Sequence, residues 1–279
     1  MDHTLTGHSG KVLAAKFLGS TFLVTGSHDR TLKIWDLKNR SCTETKFAGS
    51  SCNDLVTTDS FSFISGHVDK KIRFWDVRTA DCTANEIPLQ GKITSLDLSK
   101  DGKFLLCCVR DDTINLLDLR QNRIVRTFRN DNFKVGCDWS RVAFSPSSTR
   151  IAAGSADGSV YIWNVNGPLE TVLKDPNGSG AAVTAVSWHP FSSTLASVDR
   201  AKKCKHNGLF AERMEWVNPS QFSQLSIDRR VTHQVTYLIE RRMLLISHQL
   251  EDNIFAGRHE APVLPQALEG KFAVLLRAR

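Results

Sequence analysis

Three side chains near the start of the chain could in principle share one reaction: the hydroxyl of Thr25, the imidazole of His8 and the carboxylate of Asp29. A hydroxyl activated by an imidazole that a carboxylate orients is the arrangement of acyl transfer. That chemistry also needs an exposed nucleophile and a pocket of donors for the oxyanion. Thr25 sits in a stretch, 22–26, that reads as a short strand, so the set is expected to be buried and structural. His3 and His8 stand five apart with no further ligand nearby, which is too few for zinc. Cys107 and Cys108 are adjacent on an expected strand, point to opposite faces and cannot clasp one metal. There is no phosphate-binding glycine loop, H-E-x-x-H or G-x-S-x-G. The expectation is no catalytic residue, no metal, no cofactor, no small-molecule substrate and no enzyme.

The elements that must hold these residues come from a repeat. GSHDRTLKIWDL (26–37), GHVDKKIRFWDV (66–77), VRDDTINLLDL (109–119) and GSADGSVYIWNV (154–165) align, each on an anchor at Trp35, Trp75, Leu117 or Trp163. The anchors are 40, 42 and 46 residues apart, and an Asp precedes each by six positions, at Asp29, Asp69, Asp111 and Asp157. An Asp there supplies side-chain hydrogen bonds to a tight turn. Alternation and β-branched content give four short strands per unit: 12–17, 22–26, 32–36 and 43–47 in the first. Four strands per unit of about forty to forty-five residues describe a blade of a β-propeller. The units run over about 8–47, 48–88, 89–128 and 129–173. A fifth, 174–204, begins but reaches no anchor, since KHNGL stands at 205–209 where a Trp is due.

Composition places a boundary at the same point. The chain has 279 residues and a net charge of +7, with +5 in 1–204 and +2 in 205–279. All seven cysteines lie in 1–204, and none of them forms a Cys-x-x-Cys pair, which fits reduced thiols rather than a disulfide framework. No apolar run is long enough to span a membrane, and the first residues lack the pattern of a secretory signal. Beyond 204 the basic residues are mostly Arg. Val235, Leu238, Ile239, Met243, Ile246 and Leu250 recur at three and four, so 231–250 reads as one amphipathic helix, or as accidental periodicity in an unrelated, disordered tail.

The repeat resembles the WD40 pattern. Trp-Asp closes the third strand at Trp35–Asp36 and Trp75–Asp76, and Gly-His opens the first unit at Gly7–His8. The resemblance implies a hydrogen-bonded chain from the Trp35 indole through Thr25 and His8 to Asp29, with Asp69, Trp75, Asp111, Asp157 and Trp163 as counterparts. Gly49–Ser50, Gly91–Lys92 and Asn130–Asp131 stand near the place of His8 in later units, so those blades are expected to be weaker. The stretches 3–17, 26–37, 47–54, 69–78 and 133–146 resemble, more narrowly, the C-terminal propeller of the autophagy-related sixteen-like proteins, over about 2–204. The fold expected is therefore all-β: an incomplete WD40 propeller of about four and a half four-stranded blades, followed by a non-repeat tail.

That resemblance implies a non-catalytic scaffold of autophagosome assembly. It would bind peptide motifs, membrane-protein tails and the conjugation machinery, and direct ubiquitin-like lipid conjugation. It would be cytoplasmic and reach autophagic or endolysosomal membranes through its partners. Partners are expected on the rim formed by loops 6–11, 48–52, 89–92, 130–140 and 176–180. Phe133, Lys134 and Trp139 in the longest loop mix apolar and basic groups, and Lys11 follows the Gly-His dipeptide on the same rim. Trp75-Asp76-Val77-Arg78 resembles the WDxR element of cullin-ligase substrate receptors, so a ubiquitin-ligase receptor centred on Arg78 is the alternative, with a truncated, non-functional product as a third reading. The basic residues are spread over every unit without a stacking-aromatic motif, so no nucleic acid is expected.

Overall fold

The computed structural model describes residues 4–79, 82–174, 180–201 and 204–208. The expected tail helix at 231–250 lies outside the described residues. Within them the chain forms five antiparallel sheets. The first is β1 (Val12–Leu18), β2 (Phe22–Ser27), β3 (Thr31–Asp36) and β4 (Ser41–Phe47). The second is β5 (Cys52–Thr57), β6 (Ser62–His67), β7 (Lys71–Asp76) and β8 (Cys82–Pro88). The third is β9 (Ile93–Leu98), β10 (Phe104–Val109), β11 (Thr113–Asp118) and β12 (Arg123–Phe128), and the fourth is β13 (Val142–Phe144), β14 (Arg150–Gly154), β15 (Val160–Asn164) and β16 (Leu169–Leu173). The fifth has three strands, β17 (Val183–Trp188), β18 (Thr194–Asp199) and β19 (Cys204–Gly208). Four-stranded antiparallel sheets in this succession have the form of β-propeller blades.

The turn between the second and third strands explains the Asp that recurs six positions before each anchor. Asp29 accepts the Thr31 N–H at 2.9 Å, Asp111 the Thr113 N–H at 3.1 Å and Asp157 the Ser159 N–H at 3.0 Å. Each bond spans a residue with positive φ: Arg30 at 68°, Asp112 at 65° and Gly158 at 82°. The carboxylate thus holds a left-handed turn that few side chains adopt readily. Each complete sheet also shifts register between its third and fourth strands beside the anchor, between Ile34 and Trp35, Arg73 and Trp75, Leu116 and Leu117, and Ile162 and Trp163.

Sheets pack face to face in chain order, β5 against β1, β9 against β5, β13 against β9 and β17 against β13. The approach is closest where a small residue ends the second strand. A Cβ on Gly26 would meet Cys52 Sγ at 2.5 Å, and one on Gly66 would meet Ile93 Cγ2 at 2.4 Å. One on Gly154 would meet the Val183 carbonyl oxygen at 2.5 Å. Polar groups in the seams tie the same strands, Asn53 and Asp54 buried and Asp97 half-buried. Asp54 accepts the Leu96 N–H at 2.8 Å, Asp97 accepts the Phe144 N–H at 2.7 Å, and Asn53 donates to the Ile93 carbonyl at 2.7 Å. The Arg141 guanidinium, arriving from the fourth sheet, is ion-paired with Asp54 of the second and donates to the Leu13 carbonyl of the first at 3.5 Å. Burial works against the charge on Asp54, but Arg141 beside it holds the carboxyl below its ordinary range.

The fifth sheet differs in detail from its sequence reading. The chain leaves the repeat without a Trp, yet β19 occupies the third-strand place and carries the sheet four residues past 204, pairing Thr194 with Gly208 and Val198 with Cys204. Ladder bonds are made by main chain, so a strand can form there without an indole anchor.

The backbone position of the Val183 oxygen makes Gly154 the least replaceable of the three close-approach glycines. Gly154→Ala is expected to cost about 1–3 kcal/mol and to lower the melting temperature by about 2–4 °C per kcal/mol. Differential scanning calorimetry checks this, and an unchanged melting temperature would show that the sheets do not approach so closely.

Candidate functional site

The strands bring His8, Thr25, Asp29 and Trp35 together as one chain of hydrogen bonds. Trp35 Nε1–H donates to Thr25 Oγ1 at 2.8 Å, and Thr25 Oγ1 lies 2.7 Å from His8 Nε2. His8 Nδ1 lies 2.8 Å from Asp29 Oδ2. The consistent tautomer has Nδ1–H donating to the carboxylate and Nε2 accepting from the hydroxyl. Asp29 also accepts from Ser9 N–H at 3.0 Å, Thr31 N–H at 2.9 Å and the Thr31 hydroxyl at 2.6 Å. Burial pushes its carboxyl up, but the hydrogen bonds from Thr31 and His8 outweigh this and hold it far below its ordinary value. For His8, burial outweighs Asp29's pull and lowers the pKa, so the imidazole is neutral.

These bonds hold the set inside the sheet. Thr25 is 0% exposed, and its oxygen already accepts the indole N–H. A nucleophile needs an open approach to a carbonyl and a lone pair to attack it with. Thr25 lacks the open approach, and its bonds tie the strands together as a clamp. Leu5 and Gly7, from the segment before β1, close over the Trp35 indole.

The second sheet builds the same clamp from different parts. Trp75 Nε1–H donates to Ser65 Oγ at 2.6 Å, and Ser65 Oγ lies 2.7 Å from His67 Nε2. His67 Nδ1 lies 3.1 Å from the Ser50 carbonyl, to which it donates. The imidazole comes from the end of β6 instead of from the loop before β5. Its signal was the Gly-His pair at 66–67, which aligns with Gly26–Ser27. Asp69, left without a His, instead takes the Arg73 guanidinium at 2.6 Å and 3.1 Å. Burial and the Arg73 charge lower His67 to about 4. In the fourth sheet the Tyr161 hydroxyl donates to Asp157 at 3.0 Å, and Tyr161 stacks on Trp163. Burial and that hydrogen bond push the tyrosine up to about 12. In the third, Asp111 keeps only its turn, and Asn115 with Thr127 pairs across the strands beside the anchor Leu117.

The expected partner-binding residues separate into two groups. Phe133 does not lie on the surface: it is 0% exposed, with its ring edge-on to Tyr161 and Trp163 at 5.4 Å and 5.2 Å. The loop folds inward because Lys134 N–H donates to Ser155 Oγ, Val135 N–H to Asp112, and the Arg110 guanidinium to the Val135 carbonyl. These bonds turn the Phe133 ring into the seam between the third and fourth sheets, so Phe133 is corrected to a core residue. Lys134 is exposed and 3.2 Å from Asp112, Trp139 is 39% exposed, and Lys11 is exposed. Asp138, next to Trp139, is bridged by Arg110 at 3.3 Å and Lys92 at 3.7 Å. Arg78 stands at the opposite end of its strand, gripped by Asp76 at 2.5 Å and stacked over exposed Phe61 at 5.4 Å.

Among the described residues, no group of His, Cys, Asp and Glu could hold a metal ion. Cys107 and Cys108 face the seams on opposite sides of the third sheet. Burial raises both thiols, Cys108 to about 12, so neither is a thiolate at neutral pH.

His67 makes stability fall with acid in a definite window. Its folded pKa, about 4, lies below its ordinary 6.5, so the unfolded chain binds the extra proton. Its contribution is full above pH 6.5 and is lost progressively as pH falls from 6.5 toward 4. The loss is up to about 3 kcal/mol. Asp29 and Asp54, held low, give up their contributions only below the ordinary carboxylate value of 3.8, outside this window. Urea midpoints between pH 7.5 and 4.5 should fall for the wild type and fall less for His67→Gln. Parallel curves would remove His67 as the cause.

The comparisons with known proteins agree with this architecture. The family model described as WD domain, G-beta repeat matches residues 2–36, 84–118 and 123–164. Protein tipD of Dictyostelium discoideum is 41% identical over 205 residues, covering 72% of this chain and 34% of that protein. Protein Atg16l2 of Homo sapiens is 51% identical over 163 residues, 58% of this chain and 26% of that protein. Autophagy-related protein 16 of Arabidopsis thaliana is 36% identical over 203 residues, 71% of this chain and 39% of that protein. The chain thus spans between a quarter and two fifths of the length of these relatives. With indole clamps in the first two sheets and Asp-held turns in the first, third and fourth, the chain carries WD40 repeats and is similar to Atg16-like proteins at 36–51% identity.

Proposed function

We propose that this chain is a non-catalytic scaffold of autophagy, which binds peptide motifs or membrane-protein tails through the rim that carries Trp139, Lys134 and Lys11 and so directs ubiquitin-like lipid conjugation to particular membranes. The observation that carries the reading is the identity with Atg16-like proteins, 36–51% over the sheets described above. Further support comes from the rim itself. Trp139 offers a half-exposed indole on a loop pinned at Ser155 and Asp112, where Lys134 pairs with Asp112 while Lys92 and Arg110 pair with the neighbouring Asp138. An exposed aromatic on a rigid loop is the composition of an interface anchor. Recruitment to autophagic or endolysosomal membranes would then follow from the partner. Among the described residues no helix is long and apolar enough to cross a membrane.

The ligase-receptor reading rests on Arg78. Its guanidinium is held by Asp76 of its own turn and lies over Phe61. An arginine so paired contributes little net charge to a partner.

Capture of membrane-protein tail peptides and conjugation machinery by the full chain tests the proposal. Trp139→Ala should weaken capture by about tenfold or more, the usual effect of truncating an aromatic anchor. Lys134→Ala should weaken it less, and Arg78→Ala not at all. Capture that survives Trp139→Ala unchanged would overturn the rim, and loss of a cullin adaptor in Arg78→Ala would replace the scaffold with the ligase receptor.

A further inference from the structure

The outer strands of the four complete sheets differ in one respect that the fold does not require. β4, β8 and β16 each carry a glutamate paired with a cation of their own sheet: Glu44 with Lys46 at 2.8 Å, Glu86 with Arg73 at 2.8 Å, and Glu170 with Arg150 at 2.7 Å. β12 carries none. From Leu119 to Asn130 the chain has no carboxylate and four arginines, Arg120, Arg123, Arg126 and Arg129.

Those arginines are used unequally. Arg120 is neutralised by Asp118 at 2.6 Å. Arg126 donates to the Val165 and Gly167 carbonyls at 3.0 Å and 2.7 Å and lies over the Phe128 ring, so its position is fixed while its charge meets no carboxylate. Arg123 and Arg129 are exposed; Arg123 stands across from Asp118, which Arg120 already bridges, and no salt bridge within 4.0 Å holds either one among the described residues. Between them Ile124 is 42% and Val125 43% exposed. β12 ends its sheet, bonded only to β11, so its other edge presents unpaired main-chain groups. Natural edge strands carry charge to deter pairing, but an exposed β-branched pair in the middle of one is the reverse of that protection.

We propose that the β12 edge is a second docking surface, separate from the rim, which takes an extended acidic peptide. Carboxylates of the peptide meet Arg123 and Arg129, roughly 20 Å apart at about 3.3 Å per residue, and its apolar side chains cover Ile124 and Val125. Edge main-chain groups supply sequence-independent affinity, and side chains at alternate positions supply selectivity. A peptide fits this surface better than a nucleic acid does. The centre of the strand is aliphatic, and it offers no exposed aromatic face for a base to stack on.

The test uses the full chain and a fluorescent peptide of alternating glutamate and valine. A lysine–valine peptide of the same length and a single-stranded DNA oligonucleotide serve as competitors for the other chemistries. The Glu–Val peptide should bind, more weakly as salt rises. Arg123→Glu with Arg129→Glu should weaken it by about tenfold or more, at an unchanged melting temperature. If charge reversal unfolds the protein, Arg123→Gln with Arg129→Gln gives the same comparison with a smaller loss. Unchanged affinity in either folded variant, equal binding of the Lys–Val peptide, tighter binding of DNA, or no binding by the wild type would each overturn the proposal. The rim variants Trp139→Ala and Lys134→Ala should leave this affinity alone, which separates its failure from failure of the scaffold reading.

Discussion

The close packing of one sheet on the next is the constraint on which the rest depends. A four-stranded sheet of this size has two apolar faces and cannot bury both by itself, so stability is a sum of sheet and seam terms. The seams are close because Gly26, Gly66 and Gly154 leave the next inner strand room to reach the backbone. Once it is there, Asp54 and Asp97 accept main-chain N–H groups of the following sheet. A carboxylate gripping an amide in a buried seam fixes rotation and height together, where apolar contact alone would allow sliding. Arg141 extends this beyond neighbouring sheets, joining the fourth sheet to the second and the first through Asp54 and Leu13. A buried charge held this way costs much if its partner is removed, so the tie specifies geometry more than it adds stability.

Within each sheet a weaker demand is met in several ways. The indole N–H of the anchor must find an acceptor as it is buried. Thr25 answers in the first sheet and Ser65 in the second, each backed by an imidazole that reaches it from a different part of the chain. In the third an anchor of leucine removes the need, and in the fourth Tyr161 and Phe133 pack on the ring of Trp163, a contact with the ring and not with its N–H. The clamp therefore varies while the Asp-held turn persists, because the turn is a backbone requirement and the clamp is a side-chain solution. The expectation that sheets without a His in the place of His8 would be weaker overlooked this substitution in the second, where His67 is buried and bonded at both nitrogens.

The same packing demand sorts the longest loop into a buried and an exposed half. Phe133 is drawn into the seam because Tyr161 and Trp163 leave an aromatic-sized space there, and Lys134 and Val135 are then pinned by Ser155 and Asp112. What remains outside is Trp139, set above a stiff base. A loop tied at that many points presents its surface in one conformation, which lowers the ordering cost of binding.

Much of the architecture was legible in the sequence alone. The forty-odd residue spacing, the Asp six positions before each anchor and the strand boundaries follow from ladders and turns between near neighbours, whose lengths are fixed by main-chain geometry. The hydrogen-bonded grouping of His8, Thr25 and Asp29 was legible for the same reason, since all three lie within one sheet and its entry loop. The partnerships between sheets were not. That Phe133 turns inward and that Arg141 meets Asp54 depend on where the stacked sheets bring distant strands. No local periodicity encodes those meetings. They exist only once the seams have closed and each side chain has found the space or the opposite charge left for it.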